Sequence, residues 1–171
     1  MEYFFNFEKL AYIKGKRPEG CILCQIRDEN PAVTDTLVHK SAHTGLAVNL
    51  YPYNPGHLLL FPLRHVTDIR EVPGEERRDM DRSLDMALEA LDSLYGPAGY
   101  NIGYNMGLAA GASIEHLHLH IIPRYPREIG IAELLAGKRV LVEDIEKTKQ
   151  KLREIFASGS SHCKGTEKLL K

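Results

Sequence analysis

The chain has 171 residues, 43% of them hydrophobic, which suits one globular domain with a real core rather than two domains or a disordered chain. Its formal net charge of -1 is spread over mixed acidic and basic residues, which argues against a non-specific nucleic-acid binder but leaves room for a small anion in a local pocket. No apolar run reaches bilayer length and the first eight residues lack a basic region and an apolar signal core, so no membrane association and a cytoplasmic location are expected.

Residues 1–20 mix aromatics with Lys14, Lys16 and Arg17 and end on Pro18, Glu19 and Gly20, an irregular or short helical lead-in. Cys21 and Cys24 follow as a Cys-x-x-Cys pair ahead of the polar Arg27-Asp28-Glu29-Asn30-Pro31, which reads as a knuckle between two loops suited to a metal. With Cys163 the cysteines number three, and an odd count in a reducing compartment favours a metal or a redox pair over a disulfide framework. Residues 36–39 and 44–49 are β-type runs around Lys40-Ser41-Ala42-His43 and predict a hairpin. After the turn cluster Tyr51-Pro52-Tyr53-Asn54-Pro55-Gly56, residues 57–62 predict a third, buried strand, and the short links predict antiparallel pairing.

Over residues 75–95, Met80, Leu84, Ala87, Leu88, Leu91 and Leu94 recur at steps of three and four and predict an amphipathic helix ended by Gly96 and Pro97. Residues 100–106 and 117–122 predict the fourth and fifth strands. Between them Asn105-Met106-Gly107-Leu108-Ala109-Ala110-Gly111-Ala112-Ser113 forms a turn of little side-chain bulk, able to bring backbone amides close to an anion such as phosphate. A second amphipathic helix is expected over about residues 140–156, with Ile145, Leu152 and Phe156 on one face. The small, polar tail 157–171 is expected to be mobile, leaving residues 1–156 as the domain. The sum is an α+β domain, an antiparallel sheet of about five strands with two main helices.

The chemistry concentrates in Glu115-His116-Leu117-His118-Leu119-His120-Ile121-Ile122-Pro123-Arg124. In an extended chain, His116, His118 and His120 share one face and Leu117, Leu119 and Ile121 the other. A neutral imidazole is a good nucleophile at phosphorus, and the phosphoramidate it forms can pass the group to a second acceptor, so the central His118 suits a two-step transfer flanked by two N–H donors. The same face can instead hold zinc or iron, or serve no function in solvent. Cys21, Cys24 and two histidines would complete a closed tetrahedral zinc site, with His57 and His65 among the candidates, although spacing does not select the partners.

The run of residues 116–122, three histidines alternating with apolar residues, matches the histidine-triad pattern of the HIT superfamily. Together with Val48-Asn49-Leu50-Tyr51-Pro52-Tyr53-Asn54-Pro55-Gly56-His57-Leu58 and the 105–113 turn leading to Pro123-Arg124-Tyr125, it makes the chain resemble the diadenosine tetraphosphate phosphorylases of the Fhit-like branch, over about residues 21–156. The resemblance implies a HIT-like α+β fold, a homodimer with a continuous sheet, and covalent nucleotidyl transfer. It implies His118 as the nucleophile that takes the adenylyl group, with His116, His120 and His57 around the phosphates. Asn49 falls where the family contacts the ribose, and Asn105, Gly111 and Ser113 where its phosphate-binding turn lies. Relatives and the galactose-1-phosphate uridylyltransferases bind a structural zinc at positions that map to Cys21, Cys24, His65 and His116; no organic cofactor is implied.

Attack at the α-phosphorus of diadenosine tetraphosphate expels ATP, a leaving group that needs no strong general acid. Water as second acceptor releases AMP, and inorganic phosphate releases ADP. Fhit-type hydrolases carry a glutamine where this chain has Ala112, a departure that favours phosphorolysis. The expected activity is therefore a diadenosine tetraphosphate phosphorylase giving ADP and ATP. The alternatives are a HIT hydrolase of dinucleoside polyphosphates or adenosine phosphoramidates, and a nucleotide-binding regulatory protein. Among weaker signals, Tyr51 and Tyr53 offer adenine stacking or ordinary packing, and Arg124, Arg127, Lys138 and Arg139 are cationic candidates for phosphate. His39 and His43 read as surface residues, and His162 and Cys163 as a minor metal candidate.

Overall fold

The period-two segments assemble into one antiparallel sheet whose two faces have different jobs. In the computed structural model, which describes residues 19–126 and 144–158, strands β1 (Leu37–Lys40), β2 (Thr44–Val48), β3 (Leu58–Pro62), β4 (Gly99–Tyr104) and β5 (Leu119–Arg124) pair in the order β1-β2-β3-β5-β4. Arg127, Lys138, Arg139, His162, Cys163 and the lead-in up to residue 18 lie outside the described residues. Leu46, Val48, Leu58, Leu60, Leu119 and Ile121 belong to the main core, which α2 (Gly74–Tyr95) and α3 (Ile145–Ala157) cover. Ala47, Leu59 and Phe61 belong to a second cluster, closed by Leu37 and by Leu23 and Ile26 of the short helix α1 (Ile22–Arg27). Gly45 makes room for Phe61, since a Cβ there would lie 2.6 Å from the ring.

The helices end where local chemistry ends them. Glu75 and Glu76 complement the positive end of α2. Gly96 closes it in the left-handed region at φ +53°, its N–H donating to Asp92 O. Asp144 caps α3 by accepting from the Glu146 N–H at 3.1 Å. Arg153 then ties α3 to β1 through the Leu37 carbonyl and the Asp35 carboxylate. The buried Asp79 of α2 anchors the β1–β2 turn, accepting from the Ser41 hydroxyl and from the His43 N–H at 3.0 Å. Among the described residues no helix is long and apolar enough to cross a membrane.

Three features differ from expectation. Strand β5 starts at Leu119 rather than Leu117, because the Leu117 N–H donates to Val66 O beyond the end of β3 instead of joining the ladder. The cysteine pair is not a knuckle between loops: Cys21 precedes α1 and Cys24 lies inside it, because Leu23 and Ile26, three apart, bury a helical stripe. Strand β1 begins at Leu37, and its register shifts between Leu37 and His39.

Candidate functional site

His116, His118 and His120 emerge on the sheet face opposite α2 and α3, and each ring meets a different partner. His118 is 3% exposed, and its Nδ1–H donates to the His116 carbonyl at 2.7 Å. That bond fixes the tautomer and leaves the lone pair on Nε2. Burial holds the His118 pKa below the ordinary histidine value against the opposing effect of this bond, so the ring is neutral at neutral pH. The His120 ring lies 4.8 Å from it, centroid to centroid, edge to face.

His57 was expected beside the phosphates, but it is fully buried behind His120 and does not line the cavity. The Tyr53 N–H donates to its Nδ1 at 3.1 Å, so its Nε2–H donates to His120 Nδ1 at 3.0 Å. His120 is thereby left with the proton on Nε2. Asn49 accepts from the Tyr51 N–H at 3.1 Å and sets its amide nitrogen 3.2 Å from His57 Nδ1. Gly56 makes the turn into His57 at φ +78°.

His116 faces a different cluster. Its Nε2–H donates to Pro62 O at 2.9 Å, which turns the Nδ1 lone pair toward Cys21 Sγ at 3.2 Å and Cys24 Sγ at 3.6 Å. His65 Nδ1 lies 3.5 Å from Cys24 Sγ. One donor atom from each of Cys21, Cys24, His65 and His116 falls within 4.8 Å of all the others, so the four could hold a metal ion. Two sulfurs and two imidazoles, one oriented by a backbone carbonyl, fit a closed tetrahedral site. Burial pushes His116 down to about 4, keeping it in its ligating neutral form. Burial and then Cys21 push the Cys24 thiol up to about 11, a shift that a cation would reverse.

Between α1 and the triad lies a cavity of about 370 Å³. His118, His120, Asn49, Asn105, Gly111 and Ser113 line one part of it, which brings six of the predicted site residues together. Ile22, Leu23, Ile26, Val33, Leu50 and Ile114 make an apolar part. That wall was not anticipated, although the spacing of Leu23 and Ile26 across the cysteine pair carried the helical signal for it. Tyr51 and Tyr53 also line the cavity, and the Tyr53 ring stacks on His57 at 5.3 Å.

The turn after β4 is glycine-dependent at Gly107 and Gly111, at φ +81° and +86°. The N–H groups of Ala110, Gly111 and Ala112 bond to Gly107 and Leu108 within the turn. Those three amides are therefore used within the turn, while Asn105, Gly111 and Ser113 of the same segment line the cavity. Arg124 donates to Asn101 at the surface and does not line the cavity. His39 packs on Phe156 at 5.4 Å, and His43 pairs with Glu75.

A family model described as the HIT domain matches residues 30–127. This chain belongs to the HIT family. It is 33% identical over 159 residues to the AP-4-A phosphorylase of Mycobacterium tuberculosis, a match that spans 91% of this chain and 82% of the relative. It is 28% identical over 121 residues to the asymmetrical bis(5'-nucleosyl)-tetraphosphatase of Schizosaccharomyces pombe, covering 71% of this chain and 63% of that one. The HIT fold is also that of a zinc-bound histidine triad family protein from Mycobacterium smegmatis, with a TM-score of 0.65 at 24% identity over 83% of this chain and 96% of that chain. The relatives of this chain thus include both a phosphorylase and a tetraphosphatase.

Proposed function

We propose that this chain is a nucleotidyltransferase that cleaves diadenosine tetraphosphate through an adenylyl-histidine on His118 and passes the adenylyl group to inorganic phosphate. The observation that carries this reading is the His118 ring itself: buried, held neutral, bonded at Nδ1 to the His116 carbonyl, and lining a cavity with one apolar part. Nε2 attacks the α-phosphorus, the N–P bond forms, the bond from that phosphorus to the bridging oxygen breaks, and ATP leaves with that oxygen. A phosphate oxygen then attacks the same phosphorus, the N–P bond breaks, and ADP leaves. His120 donates from Nε2 to a non-bridging oxygen, with His57 behind it holding the tautomer, and Ser113 donates from the opposite turn. The apolar part takes the base, Asn49 the ribose, and Asn105 and Gly111 shape the phosphate end.

Zinc is the ion the Cys21, Cys24, His65 and His116 donor set fits, and bound there it would be structural. The homodimer is assigned to β4, which ends the sheet and leaves Ile102 44% exposed; light scattering of the purified protein tests it. Incubation with diadenosine tetraphosphate, with and without inorganic phosphate, followed by anion-exchange separation, tests the reaction. ADP plus ATP, formed only with phosphate, is expected. AMP plus ATP without phosphate would establish the hydrolase, the second reading, which the tetraphosphatase relative favours.

A further inference from the structure

Helix α1 and its N-cap residue Cys21 carry two of the four metal donors, and the helix also forms part of the cavity wall. Its six residues fall well below the roughly 12–15 at which an isolated helix sustains itself. Cys21 at its N-cap makes no side-chain capping bond. The carbonyls of Cys21 and Cys24 accept the helical N–H bonds of Gln25 at 3.1 Å and Asp28 at 3.0 Å. The sulfurs of the same two residues point into the cluster with His65 and His116. Between and just beyond them, Ile22, Leu23 and Ile26 line the cavity. At the far end the helix is tied down by Arg27, whose guanidinium donates to Leu63 O at 2.6 Å.

We infer that a divalent cation in the cluster controls how tightly the cavity binds its nucleotide, by fixing α1 as the wall against the base. This inference rests on reading the cavity as the nucleotide site. Bonds from a cation to Cys21 and Cys24 replace loose sulfur–imidazole contacts and anchor the helix to β3's exit through His65 and to the triad through His116. Because Leu23 and Ile26 sit one and two positions from Cys24, order at the sulfurs is order at the wall. Linkage makes the effect reciprocal: whatever factor zinc adds to nucleotide affinity, nucleotide adds to zinc affinity.

The full chain is prepared zinc-loaded and chelator-stripped, and AMP binding is measured by calorimetry. AMP is expected to bind the loaded form about tenfold more tightly, within the usual range of such couplings. Zinc affinity, read against a chromophoric chelator, should rise by the same factor when AMP is saturating. Hydrogen exchange of the Gln25 and Asp28 amides should speed up on stripping while amides of β2, β3 and β5 keep their protection. His65→Ala removes a donor that neither lines the cavity nor belongs to α1; it should weaken AMP binding at limiting zinc and recover it with excess zinc. Equal AMP affinity of the two forms overturns the inference alone. Loss of sheet protection on stripping also overturns it, because the cation would then maintain the whole fold. Binding of AMP to neither form removes the nucleotide reading as well.

Discussion

Replacing His118 by alanine separates the reaction from the fold. The mutation deletes a ring that is 3% exposed and leaves the His116 carbonyl without the donor that lies 2.7 Å away. The lost bond costs about 1–3 kcal/mol, and the lost edge-to-face packing on His120 about 1 kcal/mol more. Both are well below the roughly 5–15 kcal/mol that holds a domain together, so the variant stays folded. At about 2–4 °C per kcal/mol for a chain of this size, a total of about 2–4 kcal/mol should lower the melting temperature by about 4–16 °C. Turnover of diadenosine tetraphosphate should fall by at least about 10⁴-fold, since the proposed covalent intermediate forms on His118 Nε2. Circular-dichroism melting, product chromatography and intact-protein mass after brief incubation check the three parts. A variant that stays within about a hundredfold of the parent, or still gains the mass of an adenylyl group, would falsify the assignment of His118.

The remaining predictions follow from burial, backbone conformation and the donor that the turn supplies. His116 and His118 are both held below their ordinary value of 6.5, His116 at about 4. The unfolded chain therefore takes up protons first as pH falls, and the metal-free protein should lose on the order of 3 kcal/mol from His116 alone between about pH 6.5 and 4, with no further loss from this source below that. Urea melts at pH 7, 5.5 and 4.5 read the slope, and a flat profile contradicts it. Gly56→Ala places a Cβ 2.9 Å from Leu91 and 3.2 Å from Pro123 at φ +78°, and should destabilise by roughly 1–3 kcal/mol; an unchanged denaturation midpoint would sink the argument. Ser113→Ala should lower kcat by about 10²-fold with little change in stability if its hydroxyl meets the reacting phosphate, and a full-speed variant assigns that contact elsewhere.

Much of the fold was legible because periodicity is local. The step of two in residues 116–122 separated the histidine face from Leu117, Leu119 and Ile121, and the steps of three and four in residues 75–95 placed Met80, Ala87 and Leu91 in the core. The geometry of the extended and helical backbone imposes these patterns whatever the rest of the chain does. The 105–113 turn was recognisable from its glycines, but not the fact that Gly107 and Leu108 accept the N–H groups of Ala110, Gly111 and Ala112, because that depends on dihedral angles rather than composition. The Cys-x-x-Cys spacing pointed to a metal; which histidines it meets depends on contacts across 95 residues to His116 and 41 to His65. The placement of His57 behind His120, 63 residues away, depends on the pairing of β3 with β5. Residue pattern alone therefore determined which side chains share a face, and phosphorus or metal chemistry on that face is what the pattern predicted. Only the tertiary structure decided that the three triad rings divide between a cysteine cluster, a backbone carbonyl and a second histidine, because strand register, not residue pattern, selects the partner each imidazole meets.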